Sequence, residues 1–217
     1  MGRVSGRPLA RSFYARDARD VAPELLGKVL VHAGRSARIV EVEAYCGAED
    51  PGSHAYRGRT ARNAVMFGPA GHLYVYFTYG MHWCANAVCG EEGLASAVLL
   101  RAGAPLDGVA EMFAARPAAR RRRDLCSGPA KLCQALAVDG NLDGADLVAT
   151  GSVTIVDDGT PPPTAPGVST RIGLSAGAEH PWRWFVPDDE NVSRHRGAPP
   201  RRRTGVTSEP DGSTARG

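Results

Sequence analysis

The sequence has few lysines and no long apolar run. Lys28 and Lys131 are the only lysines among the 26 basic residues of this 217-residue chain. No apolar run approaches the roughly 18 residues that a membrane-spanning helix needs. No apolar stretch follows the first arginines, as it would in a signal peptide. We therefore expect a cytoplasmic protein.

The cysteines do not form a recognisable pattern. They are odd in number and lack CxxC spacing, which argues against both a disulfide framework and a zinc ribbon. Unpaired cysteines are typical of a reducing compartment. The cysteines are Cys46, Cys84, Cys89, Cys126 and Cys133.

The motifs of metal and nucleophilic catalysis are also missing. HExxH and GxSxG do not occur, so we expect no metal site and no serine-hydrolase chemistry. Schiff-base chemistry needs an amine, and two lysines give it little support. A carboxylate that acts on water is then the simplest catalyst. The side chains that could compete as metal ligands are Glu41, Glu43, His54, His72 and His82.

The charge composition gives a weak indication of nucleic-acid binding. The net charge is only +3, but almost all basic residues are arginine, whose planar fork suits phosphates and bases. A GC-rich genome would produce the same excess of arginine. Charge alone therefore indicates a nucleic-acid partner only weakly.

The order of predicted elements favours one mixed domain. We expect a flexible leader over residues 1–10, a domain over 11–193 and a basic, disordered tail over 194–217. Strands and helices do not alternate regularly, which predicts a mixed α/β (α+β) fold rather than a doubly wound one. Predicted strands cover residues 28–32, 37–45, 72–79, 95–102, 147–156, 168–175 and 182–187. Predicted helices cover residues 17–26, 105–116 and 130–138, the last with Ser127 as its N-cap.

One predicted strand carries two carboxylates on a single side. At a period of two residues, Val40, Val42 and Ala44 share the apolar side. The opposite side carries Ile39, Glu41, Glu43 and Tyr45. Solvent exposure would explain these polar side chains, and so would a site that needs an acid or a base.

The strand at residues 73–79 is rich in tyrosine. Tyr74 and Tyr76 share one face. Aromatic residues favour strands, so plain sheet packing is one interpretation. The other is a set of flat walls that stack on a planar, and especially a cationic, aromatic ligand.

The long loop between these strands is rich in glycine and arginine. His54 is followed by Arg57, Arg59 and Arg62. Long loops are often functional, and arginines on such a loop suit a surface that follows a phosphate backbone.

Four stretches together resemble a known family. They are EVEAYCGAEDPGSHAYRGRTARN, VMFGPAGHLYVYFTYGMHWCANAVCG, AVLLRAGAPLDG and LCSGPAKLCQALAV. Over about residues 11–194 the chain resembles the 3-methyladenine DNA glycosylases of the alkyladenine or methylpurine type. The resemblance implies a single mixed α/β domain, built on a curved, mostly antiparallel sheet flanked by helices, that needs no cofactor.

The resemblance also implies roles for particular residues. Glu43 resembles the base that activates water, Arg101 the arginine that helps to hold this water, and the carbonyl of Val192 a further water contact. Glu41 falls outside the catalytic position and is expected to be structural. The residues that resemble the pocket for the flipped base are Tyr45, His54, Tyr76 and Asn86, the last facing the purine 2-position. The residues that resemble the DNA contacts are Tyr79, which would enter the duplex, with Met81, Arg59, Thr60 and Lys131.

The implied activity is hydrolytic removal of alkylated or deaminated purines from duplex DNA by a monomer. The resemblance covers 3-methyladenine, 7-methylguanine, hypoxanthine and ethenoadenine, and the scarcity of lysine predicts no strand cleavage. Two alternatives are a non-catalytic protein that binds distorted duplexes, which would not need Glu43, and a hydrolase of free nucleosides, which would not need Tyr79.

Overall fold

The computed structural model describes residues 5–149 and 151–193. Its strands are β1 Arg7–Pro8, β2 Val29–His32, β3 Arg35–Cys46, β4 Leu73–Thr78, β5 His82–Cys89, β6 Ser96–Pro105, β7 Val153–Asp157, β8 Gly167–Ser169 and β9 Arg183–Phe185. Its α-helices are α1 Arg11–Tyr14, α2 Ala18–Leu25, α3 Val109–Ala115 and α4 Pro129–Ala135. No helix among the described residues is long and apolar enough to cross a membrane.

The strands form one antiparallel sheet in the order β1-β7-β2-β3-β6-β5-β4. β9 pairs with β3 as a branch of this path, and β8 pairs with β9. The helix α2 packs on β3 and β6, and α4 packs on β5 and β6. The structure therefore confirms the predicted single mixed domain with an antiparallel sheet and flanking helices.

The two faces of the sheet carry different layers. The helical face is the main core, which takes Val42 and Ala44 from β3 and Leu100 from β6. On the other face, Tyr74 packs in a smaller cluster with Met66, under the long loop after β3. Because the main core occupies the helical face, the side chains on the loop-covered face are available to form a site.

A β-bulge in β3 changes the predicted alternation. Ile39 packs in the same core cluster as Val42, whereas strict alternation places it beside Glu41. The pairing with β6 shifts register between Ile39 and Glu41 and again between Glu41 and Val42. The prediction for Ile39 is wrong because of this bulge. An extra residue in a strand moves the side chains before it to the opposite face of the sheet and bends the strand.

Local capping explains where α2 begins and corrects the cap predicted for α4. Asp17 caps α2, since its side chain accepts a hydrogen bond from the Arg19 amide. Ser127 does not cap α4: Gly128 occupies the N-cap position, with φ of 138°. The backbone of Ser127 instead forms an antiparallel β-bridge with Ala102 of β6.

The chain ends differ in part from expectation. Within the predicted leader, Arg7–Pro8 pair with β7 and Leu9 is buried, so these residues pack on the domain. The predicted tail over residues 194–217 lies outside the described residues. The late strands β7, β8 and β9 are shorter than the predicted strands over residues 147–156, 168–175 and 182–187. The segments between them are rich in proline and glycine and are mostly turns, bends and irregular backbone.

Candidate active site

A cavity of about 220 Å³ opens on the loop-covered face of the sheet. β3, β4, β5 and β6 supply its base, and loops before β4 and after β8 supply its sides. The predicted residues that line it are Tyr45, His54, Tyr76, Tyr79, Asn86 and Arg101. The structure therefore brings together six residues that lie far apart in the sequence.

Aromatic rings form the walls of the cavity. His54 lies edge-on to Tyr76 with ring centroids 4.5 Å apart, and Tyr74 stacks on Tyr76 at 5.5 Å. The His54 Nδ1 lies 3.3 Å from the Tyr74 hydroxyl. Partial burial of its ring, with Arg62 nearby, lowers the pKa of His54. A neutral imidazole and phenol rings suit a flat, cationic ligand.

Glu43 lies beneath this cavity and is fully buried. The Ile172 amide donates to its Oε1 at 2.8 Å, and the Tyr45 hydroxyl donates to its Oε2 at 2.9 Å. An Nη1 of Arg101 lies 3.1 Å from the same Oε2. A carboxylate has about four acceptor positions, so these donors leave Glu43 capacity for one further donor on the Oε1 side.

The groups around Glu43 keep fixed protonation states. Burial, reinforced by the Glu43 charge, raises the pKa of Tyr45 far above its usual range, so its hydroxyl remains a donor. Burial opposes the charge of Arg101, but Glu43 and Glu41 outweigh it and raise the pKa of Arg101. Glu43 is thus held by a phenol, an amide and a guanidinium from Tyr45, Ile172 and Arg101, which line the cavity, while Glu43 itself does not.

Glu41 holds Arg101 from the other side. Arg101 Nε donates to Glu41 Oε1 at 2.9 Å, and Arg183 Nε donates to the same oxygen at 2.7 Å. The amide and hydroxyl of Ser193 also donate to Glu41. Glu41 is fully buried and, like Glu43, is not among the residues that line the cavity. It differs from Glu43 in its partners, because Glu43 also accepts from Tyr45 of the cavity lining.

Acid should destabilise the fold partly through Glu41. Burial opposes its charge, but Arg101 and Arg183 outweigh this and hold its pKa below the ordinary value of 4.5. Such a carboxylate stabilises the fold above its unfolded pKa, and the stabilisation is lost as the pH falls through the folded pKa. We expect Glu41→Gln to flatten the decrease in unfolding free energy, measured with urea, below about pH 4.5. The same change at exposed Glu91 should leave that decrease intact.

Asn86 lies beside Tyr74 on the cavity wall, as its partner in the β4–β5 pair. It is buried, and its Nδ2 donates to the Tyr74 carbonyl at 3.1 Å across the β4–β5 pair. This hydrogen bond fixes the amide group, so a ligand must fit around it. The geometry is compatible with the predicted role at the purine 2-position.

The β4–β5 hairpin presents two apolar side chains to solvent. Tyr79 is 82% exposed and Met81 is 67% exposed. Tyr79 and Gly80 both have positive φ, 51° and 66°, as a type I′ turn requires. A tyrosine in this conformation is uncommon, and it projects the ring from the turn beside the cavity.

The loop after β3 is held by Asn63, which sequence reasoning missed. Asn63 is buried, accepts from the Thr60 amide at 2.6 Å and donates to the carbonyls of His54 and Gly58. Thr60 and Arg59 are exposed. A buried asparagine inside a polar loop has no sequence signal apart from its turn propensity.

The remaining predicted residues lie at the margin of the site. Lys131 is exposed on α4, with its Nζ 3.4 Å from the Ser127 hydroxyl, whereas Pro129 of the same helix lines the cavity. Val192 precedes Ser193, which binds Glu41 rather than Glu43. The possible metal ligands Glu41 and Glu43 face arginines, and the described residues include no group of three or more acidic, histidine or cysteine side chains arranged for a metal ion.

A flat aromatic cavity above a buried carboxylate suits a protein that acts on a planar base. Residues 12–190 match the methylpurine-DNA glycosylase family, and the chain belongs to this family. A Burkholderia lata protein named "Putative 3-methyladenine DNA glycosylase" is 56% identical over 193 residues, covering 88% of this chain and 93% of its own length. Proteins of the same name from Streptomyces avermitilis and Carboxydothermus hydrogenoformans are 53% and 46% identical. They cover 90% and 86% of this chain and 95% and 98% of their own lengths.

Proposed function

We propose that this chain is a monofunctional DNA glycosylase that flips alkylated or deaminated purines out of duplex DNA and removes them by hydrolysis. Its substrates would be 3-methyladenine, 7-methylguanine, hypoxanthine and ethenoadenine, and base release would initiate base excision repair. The observation that carries the proposal is Glu43, buried beneath an aromatic cavity that opens beside an exposed tyrosine. The enzyme would act as a monomer in the cytoplasm, on the DNA of the nucleoid.

The chemistry rests on Glu43. As the bond between base and sugar breaks, positive charge develops on the sugar, and a nearby carboxylate stabilises that charge. A water bound at the free acceptor position of Oε1 would give its proton to Glu43 as its oxygen attacks C1′. Arg101 and Tyr45 keep Glu43 oriented, and the carbonyl of Val192 is proposed as a further contact for the water.

The pocket selects the base by stacking and by shape. Tyr45, His54 and Tyr76 stack on the flipped purine, and rings of this kind attract a cationic base by about 0.5–2 kcal/mol each. A cationic base is also a good leaving group, whereas neutral hypoxanthine needs protonation or hydrogen bonding as it departs. Asn86 crowds the 2-position, where guanine carries an amino group.

Replacing Asn86 by serine should widen this specificity. The smaller side chain leaves room for a 2-amino group and removes the fixed amide. We expect Asn86→Ser to gain release of undamaged or alkylated guanine, relative to adenine-derived bases, by about 10-fold. Chromatography of the bases released from methylated DNA measures this ratio, and a ratio equal to that of the wild type contradicts the assigned role.

The enzyme should stop at the abasic site. Strand cleavage needs an amine, but Lys28 is buried in an ion pair with Asp157, and neither lysine lines the cavity. We expect borohydride to trap no covalent complex with lesion-bearing DNA, under conditions that trap a known bifunctional glycosylase. A trapped complex would contradict the monofunctional assignment.

Base release from duplexes and from free nucleosides separates the alternatives. We expect release of hypoxanthine from a duplex but not from inosine, since Tyr79, Met81, Arg59, Thr60 and Lys131 are proposed to contact DNA. Affinity for the duplex should fall steeply with salt, because phosphate contacts release counterions. Release from inosine at equal efficiency favours a nucleoside hydrolase, and salt-dependent binding without release favours a damage-binding protein.

A further inference from the structure

A buried ion pair lies behind the base pocket. The side chains of Asp50 and Arg171 are both fully buried, with Nη1–Oδ2 and Nη2–Oδ1 distances of 2.5 and 2.7 Å. Arg171 also donates to the carbonyls of Ala44 and Gly177. Its guanidinium lies 4.6 Å from the ring centroid of Tyr45. Tyr45 lines the cavity and Arg171 does not, so the ring separates the guanidinium from the cavity.

Stability alone does not account for this pair. Burying two charges costs about as much as their attraction returns, and apolar side chains often serve as well. The Nε of Arg171 is moreover buried without a hydrogen-bond partner among the described residues. The pair is therefore better explained by the residues that it holds in place than by its own contribution to stability.

The pair fixes two of the groups that bind Glu43. Arg171 supports the ring of Tyr45, whose hydroxyl donates to Glu43. The next residue, Ile172, donates its amide to the other oxygen of Glu43. Asp50 belongs to the loop that leads to His54, so the pair ties together the loops on two sides of the cavity.

Tight packing leaves the pair little freedom. A Cβ on Gly177 would lie 3.0 Å from Arg171 Nη2 and 3.1 Å from Asp50 Oδ1. A Cβ on Gly52 would lie 2.9 Å from the same Nη2. Two glycines thus let the backbone close around the ion pair, which holds Tyr45 and Ile172 in one position.

We propose that Asp50 and Arg171 are positioning residues for base release, which hold Tyr45 and the Ile172 amide on Glu43, and that Asp50 neutralises the arginine charge behind the base. This inference rests on the proposed glycosylase function. An uncompensated guanidinium behind Tyr45 would repel a cationic purine stacked on the front of the ring, and it would act much less on neutral hypoxanthine. Position and charge therefore have separable consequences.

The test compares Asp50→Asn, Arg171→Lys and the double variant Asp50→Asn/Arg171→Gln with the wild type. Single-turnover release of cationic 3-methyladenine from methylated DNA and of hypoxanthine from a duplex is measured beside DNA affinity and the melting temperature. We expect Arg171→Lys to slow both reactions by about 10- to 100-fold, since small misplacements of catalytic groups cost this much. Its DNA affinity and its ratio of the two rates should remain those of the wild type.

The charge is tested by the ratio of the two rates. Asp50→Asn should slow 3-methyladenine release at least about tenfold more than hypoxanthine release, and the neutral double variant should restore the ratio without restoring the rates. If Asp50→Asn does not fold, Asp50→Glu replaces it and should keep the wild-type ratio, since its charge remains. Wild-type rates in these variants, or losses that follow DNA affinity and melting temperature alone, overturn the proposal. Release by the wild type in the same assay shows that such a result concerns the ion pair and not the glycosylase function.

Discussion

Replacing Glu43 by glutamine is expected to lower the single-turnover rate of base release by about 10²- to 10⁴-fold, the usual contribution of a positioned general base. The amide cannot take a proton from water and carries no charge to stabilise the sugar. Binding of lesion-bearing duplex should persist, because Glu43 is buried and the surfaces proposed to contact DNA do not include it. Rapid-quench assays measure the rate, and fluorescence anisotropy measures the affinity.

The glutamine variant needs a control for its folding. Three donors face the two oxygens of Glu43, so an amide nitrogen must meet at least one of them. An unmade buried hydrogen bond costs about 1–3 kcal/mol, which a lower melting temperature should reveal. Glu43→Asp keeps the negative charge, but the shorter side chain places the carboxylate farther from these donors. We expect its rate to lie between those of the wild type and Glu43→Gln. Equal rates for wild-type protein and a folded Glu43→Gln variant would contradict the catalytic role.

Removing the ring of Tyr79 is expected to reduce base release by about 10- to 100-fold while leaving the fold intact. Flipping a nucleotide costs a few kcal/mol, and a side chain that fills the gap offsets part of this cost. Tyr79 is mostly exposed, so Tyr79→Ala removes little packing. The loss should appear with lesions in paired duplex and should be smaller with the same lesion in a single strand.

Two variants isolate the effect of the ring. Tyr79→Phe keeps an aromatic wedge and should retain most of the wild-type rate. Leu94→Ala removes an exposed side chain that does not line the cavity and should also leave the rate unchanged. A third variant, Tyr79→Gly, tests the backbone: it relieves the positive φ of 51° and should raise the melting temperature slightly. A Tyr79→Ala enzyme as active on paired duplex as the wild type would remove Tyr79 from the flipping step.

The sequence predicts the parts of the site that follow from strand periodicity. Glu43 and Tyr45 share a side of one strand, as alternation requires, and Tyr74 and Tyr76 share a face of another. Family resemblance then indicates which of these residues belong to one site. The structure brings most of them to a single cavity.

The parts that the sequence does not predict depend on contacts between distant segments. The bulge that places Ile39 in the core has no residue signature, because it is set by the pairing of β3 with β6. Arg171 falls in a stretch that resembles a plain strand, and only the fold brings it within reach of Asp50. Serine is a common helix N-cap, but Ser127 forms a β-bridge with Ala102 instead of capping α4.

The central proposal is that the buried carboxylate of Glu43 activates the water that hydrolyses the bond between a damaged purine and its sugar. The most direct measurement is single-turnover release of hypoxanthine from a duplex by wild-type and Glu43→Gln protein at saturating enzyme, with alkali revealing abasic sites. We predict abasic sites with the wild type, nearly none with Glu43→Gln, and equal affinity of both proteins for the duplex. Tight binding of the lesion by both proteins, with no base released by either from hypoxanthine-containing or methylated DNA, would contradict the claim.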